Sequence, residues 1–235
     1  MNVDKKEFWE NKIIGWEDIR YKSLPNNQNF FEKFVNKTNK TLIFRLNTAL
    51  EILKPLIKGK KVVELGCGSG FLAKKIINYG ASSYTGYDIS ENAISRAISL
   101  SNENNYNDKT KFYSKPILEM TELDADYVFS LGLTDWLDDK EIDHLFKISK
   151  NSENLHSISE EKKSISQLLH RAYVFLSYGR KTNGYAPRYL KSKKITETIK
   201  LHNNKNVFEY RNKRMSFGIF LSTFPVNRDD LLSKS

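Results

Sequence analysis

The residues best placed to do chemistry sit together in Glu64-Leu65-Gly66-Cys67-Gly68-Ser69-Gly70. Gly66, Gly68 and Gly70 leave a turn without Cβ atoms, so the chain can bend sharply and a ligand can approach its backbone. The free N–H groups of the helix expected next face the same spot, which suits an anionic or polar ligand. A dinucleotide-binding turn needs glycine at its first, third and sixth positions. Gly66 and Gly68 fill the first two, but the sixth is Phe71. The spacing is Gly-x-Gly-x-Gly instead, with an acid, Glu64, two residues ahead and a second acid, Asp88, closing the next strand-like stretch.

Other reactive groups carry less. Cys67 lies inside the turn and has no second cysteine to work with, so it reads as a small tolerated residue and not as a nucleophile. His144, His156, His170 and His202 are dispersed, and no metal site is expected. Asp135 and His156 fall near the carboxyl ends of the fourth and fifth expected strands, where open α/β sheets hold ligands. Asp135 is a candidate to position or deprotonate an acceptor, or else a helix cap ahead of Asp138. His156 is a candidate base, or else a half-buried histidine with satisfied hydrogen bonds.

The Glu-Leu-Gly-Cys-Gly-Ser-Gly pattern, followed by Tyr84-Thr85-Gly86-Tyr87-Asp88, resembles the first two motifs of the class I S-adenosylmethionine-dependent methyltransferases. The resemblance covers residues 60–150 by motif and the rest by element order. It implies an α/β fold with a Rossmann-like, doubly wound sheet of seven strands, mostly parallel, the last one antiparallel beside the fifth. It implies S-adenosylmethionine as methyl donor and S-adenosylhomocysteine as product. On that likeness Gly66, Cys67 and Gly68 line the methionine end of the cofactor, with Glu64 and Gly70 in the same turn. Asp88 and Ile89 hold the ribose and adenine, since one carboxylate can accept from both ribose hydroxyls. Ser130, Leu131 and Gly132 sit near the sulfonium. One departure stands out: Pro116 occupies the place where many members carry an acid for the adenine amine, which leaves Ile117 or its neighbour Leu118 for apolar or backbone contact. The Asn/Asp-Pro-Pro-Tyr/Phe motif of base-amine methylation is absent, and Ser130-Leu131-Gly132-Leu133-Thr134-Asp135-Trp136 stands there.

The elements that position these residues follow from the pattern. A helix is expected over 4–20, with Asp4 and Glu7 spaced as a capping box. Residues 21–36 read as irregular and 41–56 as a helix with Leu42, Leu46, Ala49, Leu50 and Leu53 on one face, weakened at its end by Pro55. Strands at 61–65, 83–87, 111–114, 125–130 and 154–157 then alternate with helices at 70–79, from Ser90, and at 138–147. An amphipathic helix over 164–178 (Ile165, Leu168, Leu169, Ala172, Tyr173, Leu176) and an irregular stretch break the alternation, before a helix at 192–203 and strands at 206–210 and 216–223. The expected organisation is one domain over 1–235: a helical N-terminal extension (1–58), a cofactor half (59–157), a lid insertion (158–190) and a closing helix and hairpin (191–235).

The lid carries His170, Arg171, Tyr173, Tyr178, Arg180, Lys181, Tyr185, Arg188 and Tyr189. Of these, Arg171, Tyr185 and Arg188 are the chosen substrate contacts, because Arg and Tyr together suit an anionic, ring-containing acceptor. Trp16, Arg20 and Tyr21 are candidates to close the other side. The acceptor expected is an oxygen or nitrogen of a small metabolite, such as a sugar or nucleotide-sugar.

Composition bounds the alternatives. With 39% hydrophobic and 12% aromatic residues the chain is globular. It has no apolar run long enough for a membrane span and no secretory signal, so a cytoplasmic protein is expected. The net charge of +10 favours polyanions, but 29 of 38 basic residues are scattered lysines, which makes nucleic acid an unlikely partner. Two alternatives stand beside the main reading: an RNA methyltransferase, carried by the charge, and a non-catalytic cofactor-binding partner protein, carried by Pro116. The oligomeric state is not legible.

Overall fold

The computed structural model describes residues 4–21, 30–175 and 185–226. Seven strands form one sheet: β1 (Lys61–Leu65), β2 (Ser83–Asp88), β3 (Thr110–Ser114), β4 (Tyr127–Leu131), β5 (Glu153–Ser159), β6 (Phe208–Arg211) and β7 (Gly218–Ser222). Their order is β3-β2-β1-β4-β5-β7-β6. β1 to β5 pair in parallel, and β7 runs antiparallel to both β5 and β6, which is the seven-stranded arrangement expected. The order reverses between β1 and β4, so their carboxyl ends form the crevice where such sheets bind ligands.

The sheet is covered on both faces, as its apolar strands require. Alternation along β1 sends Val62 to one core and Val63 and Leu65 to the other. The first core takes α2 (Phe30–Leu53), α3 (Ala73–Asn78) and α4 (Glu91–Glu103) through Leu46, Leu50, Leu53, Ile76 and Ile94. The second takes α5 (Asp139–Ile148) and α7 (Ser192–Asn203) through Ile142, Leu145, Phe146, Ile195 and Ile199. Asp138 and Glu141 close α5 with a reciprocal capping box.

Three local expectations change. α2 begins at Phe30 and ends at Leu53, so residues 30–36 are helical. Its end is the work of Pro55, which disfavours helical geometry in Lys54. α1 (Lys5–Tyr21) keeps its expected span, capped by Asp4 Oδ1, which accepts from Lys6 N at 2.8 Å and Glu7 N at 3.1 Å. After β5, α6 (Ile165–Val174) does not bury its whole apolar stripe: Ile165 is 79% and Leu168 67% exposed. Gln167, on the opposite side, is buried instead. It donates to the Glu160 carbonyl at 2.7 Å and accepts from Lys162 N at 2.7 Å. Tyr178, Arg180 and Lys181 lie outside the described residues, as do the side chains of Trp16, Arg20, Tyr21 and Tyr173. No helix among the described residues is long and apolar enough to cross a membrane.

Candidate active site

A cavity of about 340 Å³ opens over the carboxyl ends of β1, β2 and β4, a size ordinary for a ligand cleft. Its floor is the glycine turn. The amides of Gly66 and Cys67 both donate to the Tyr87 carbonyl, at 2.8 and 3.0 Å, which ties the turn to the end of β2. Gly68 has φ +52°, which favours glycine, and a Cβ built there would lie 2.0 Å from Glu17 Oε1, so a larger residue must displace the Glu17 carboxylate.

Asp88 braces the same turn. Oδ2 accepts from Gly68 N at 2.9 Å and Oδ1 from Ser90 N at 3.0 Å. Each oxygen retains acceptor capacity toward the cavity. Burial raises the Asp88 pKa above the usual carboxylate range, and the backbone donors oppose this. Glu64 is more strongly affected. Burial, with Glu17 and Asp88 nearby, pushes it up to about 8, against the opposing hydrogen bond from Tyr84 Oη at 2.5 Å. The turn therefore holds three buried carboxyl groups and would gain from a cationic ligand.

These features fit the expected donor. S-adenosylmethionine would offer ribose hydroxyls suited to a carboxylate such as Asp88, and an ammonium and a sulfonium suited to an acid-rich turn, beside its own carboxylate. Ile89, Pro116 and Ile117 add apolar wall beside it. Leu118, by contrast, is 53% exposed and outside the cavity wall.

Of the residues chosen from sequence, the cavity brings together Glu64, Gly66, Cys67, Gly68, Asp88, Ile89, Ile117, Leu131, Gly132, Asp135 and Tyr185. Five others do not line it. Gly70 packs the turn against β3 and α4: a Cβ there would lie 2.7 Å from Phe112 and 3.1 Å from Ala97. Ser130 and His156 are wholly buried and bonded to each other, Oγ to Nδ1 at 2.8 Å. His156 Nε2 meets Asn154 Oδ1 at 3.0 Å, and burial lowers its pKa to about 3. A neutral histidine with both nitrogens engaged in the core is not placed to take a proton from an acceptor. Arg171 pairs with Glu161 and lies over the Tyr189 ring. Arg188 donates to the Leu137 carbonyl at 2.6 Å and pairs with Asp139 at 2.5 Å. Arg171 and Arg188 are both engaged outside the cavity wall.

Asp135 is buried in the wall without capping a helix. Oδ1 accepts from Ser159 N and Oδ2 from Ser159 Oγ, each at 2.7 Å. Burial raises its pKa, and Arg45 opposes this. Cys67 is a free, buried thiol whose pKa burial drives well above its ordinary value, so it is held as a thiol.

The far end of the cavity is built from residues that no sequence motif marks, Trp9, Arg45, Trp136 and Phe217, and Glu17 joins the wall at the glycine turn. Trp9 and Trp136 meet edge to face at 4.7 Å, and Trp9 Nε1 donates to Tyr185 Oη at 3.1 Å. Arg45 donates to Ser157 Oγ at 2.8 Å. It was findable: it interrupts the apolar face of α2 between Leu42 and Ala49. No cluster of potential metal ligands occurs among the described residues.

A doubly wound sheet with an acid-flanked glycine turn at its switch point, and an antiparallel strand set beside the fifth, is the class I methyltransferase architecture. A family profile described as a methyltransferase domain matches residues 56–194, more than half of the chain, and the chain belongs to that family. Among similar solved structures is the magnesium protoporphyrin IX methyltransferase of Synechocystis PCC 6803 with bound SAH, at a TM-score of 0.66 and 17% identity over 92% of this chain and 96% of that one. Another is an O-methyltransferase family protein from Burkholderia thailandensis, at a TM-score of 0.59 and 12% identity over 93% of this chain and 69% of that one. An uncharacterized protein of Haemophilus influenzae is 31% identical over 106 residues, which are 43% of this chain and 41% of that protein. The match thus spans less than half the length of that relative.

Proposed function

We propose that this chain transfers a methyl group from S-adenosylmethionine to an oxygen or nitrogen of a small, ring-containing acceptor. The observation that carries the reading is one continuous cavity with two chemically different ends. The glycine turn with Glu64 and Asp88 forms one end; Trp9, Trp136, Tyr185, Phe217 and Arg45 form the other. Leu131, Gly132 and Leu133, at the end of β4, lie in its wall as well.

When bound, the donor supplies an electrophilic methyl on a sulfonium. Displacement at that carbon depends on alignment and exclusion of water more than on a strong base. The chain's residues are suited to that. Asp88 anchors the donor against the glycine turn, and the aromatic group presents flat apolar surface to an acceptor ring. Arg45 is a buried cation able to hold an anionic substituent, in place of the lid arginines. Asp135 holds Ser159 through two hydrogen bonds and so shapes the wall at the end of β5. The names of the Synechocystis and Burkholderia proteins support a small-molecule or oxygen acceptor.

The test is label transfer from methyl-labelled S-adenosylmethionine into a cell extract, split into small-molecule and RNA fractions. Label is expected in the small-molecule fraction. Label confined to RNA would replace the acceptor with a polynucleotide, and absence of binding by calorimetry at millimolar donor would overturn the enzyme reading.

A further inference from the structure

Lys5, Trp9, Ile13 and Glu17 all line the cavity. They recur every four residues, so a single stripe of α1 forms one wall of the site. The last of them reaches the glycine turn itself. Glu17 Oε1 accepts from Ser69 N at 3.0 Å. Glu17 is 7% exposed, and its Oε2 finds no hydrogen-bond partner among the described residues. An unsatisfied carboxylate oxygen in a buried place is costly. Asp88 and Glu64 lie close enough to add to that cost; the hydrogen bond from Ser69 and, more weakly, the charge of Arg96 oppose it. A ligand cation would remove the cost.

We propose that Glu17 is a cofactor-binding residue brought from outside the glycine motif, its Oε2 receiving the α-ammonium of the donor's methionine end. The cofactor and α1 then hold each other. The ammonium bridges the turn to α1, and α1 in turn carries Trp9 into the acceptor end of the cavity. Loading the donor thereby adds a buried tether to the acceptor wall; in the empty site α1 is held by the Glu17–Ser69 hydrogen bond, the Trp9 ring contacts and surface pairs such as Lys5 with Glu141 and Lys6 with Glu91. Surface pairs of that kind contribute little.

The assignment rests on S-adenosylmethionine being the donor, and one set of titrations separates the two claims. S-adenosylmethionine and S-adenosylhomocysteine both carry the ammonium, whereas 5′-methylthioadenosine keeps the nucleoside and lacks the amino-acid end. In Glu17→Gln the amide oxygen still accepts from Ser69 N but carries no charge. The expected result is an affinity loss of about tenfold or more for the first two ligands and little change for the third. Retained binding of 5′-methylthioadenosine also reports that the variant folds. In parallel, S-adenosylhomocysteine should slow amide exchange in α1 of the wild type, and Glu17→Gln should lose that protection. Unchanged or tighter binding of S-adenosylhomocysteine in Glu17→Gln overturns the assignment, because Glu17 would then be an occupant that the ligand displaces. An equal loss for all three ligands also overturns it, by reducing Glu17 to a packing residue. A wild type that binds none of the three overturns the donor reading, and this assignment with it.

Discussion

At the β1 end of the cavity the ligand surface is largely backbone: the Gly66–Gly68 turn, fixed by the Gly66 and Cys67 amides on the Tyr87 carbonyl and by the Gly68 amide on Asp88. At the β4–β5 end it is side chain, drawn from α1 (Trp9), α2 (Arg45), the turn after β4 (Asp135, Trp136), the stretch before α7 (Tyr185) and the segment before β7 (Phe217). The first end needs particular residues at particular spacings, because a backbone surface is set by a few φ angles. The second can be assembled from any aromatic and charged residues that the fold happens to bring together. A shared donor and a divergent acceptor are what such a division would serve.

The largest effect should come from the backbone end. In Gly68→Val the new Cβ meets Glu17 Oε1 at 2.0 Å while the φ of +52° stays unfavourable. S-adenosylmethionine affinity should fall by about 100-fold or more, measured by calorimetry, with helix content by circular dichroism near wild type. A loss of less than about tenfold would mean that α1 swings aside readily and that the turn is less constrained than its geometry implies. Asp88→Ala comes next. It removes the acceptor for Gly68 N and Ser90 N along with any ribose contact. The expected loss in donor affinity is roughly 10- to 100-fold, with Asp88→Asn milder because one acceptor oxygen remains.

The same division decides what could be read from sequence. Glycine spacing, Glu64 and Asp88 are local signals, and the sheet order follows from strand and helix alternation and the closing hairpin, all of which are periodic in the chain. The acceptor end has no local signal. Trp9 and Trp136 are 127 positions apart and touch only because α1 folds over the turn after β4. Arg171 and Arg188 had the right chemistry in the right segment, but Glu161, Asp139 and the Leu137 carbonyl engage them elsewhere. No one-dimensional pattern distinguishes an arginine aimed at a ligand from one aimed at a neighbouring acid. His156 failed as a catalytic choice for a related reason. Strand alternation places a residue on a face of the sheet, but does not say whether it clears the core at the strand's end. Ser130 and His156 both fall one layer short of the cavity wall.

Trp136→Ala tests whether the two ends are separable. It removes ring contacts to Trp9, at 4.7 Å, and Tyr185, at 5.3 Å. The acceptor KM should rise several-fold, following the worth of aromatic pairs, while donor affinity stays within about twofold. An equal loss in both would show that the aromatic wall also supports the donor, and the division would collapse.

His156→Gln should change turnover least, because the histidine lies outside the cavity wall and both its nitrogens are engaged by Ser130 and Asn154. Its effect belongs to stability and carries a pH signature. The unfolded histidine has an ordinary pKa near 6.5, and burial lowers the folded value to about 3. A depressed folded pKa means that the neutral form is required, so its contribution is intact above pH 6.5 and is lost progressively as the pH falls toward 3. The slope is about 1.4 kcal/mol per pH unit, or about 2 kcal/mol between pH 7 and 5. At pH 8 the glutamine variant should be less stable by about 1–2 kcal/mol through disturbed hydrogen bonds, read by urea denaturation. Because the variant lacks the titrating group, its deficit should shrink or reverse by pH 5, with turnover at pH 8 close to wild type. A deficit that stays constant from pH 8 to 5 would mean that His156 is not held neutral in the core. A collapse of turnover without loss of stability would return it to the catalytic group.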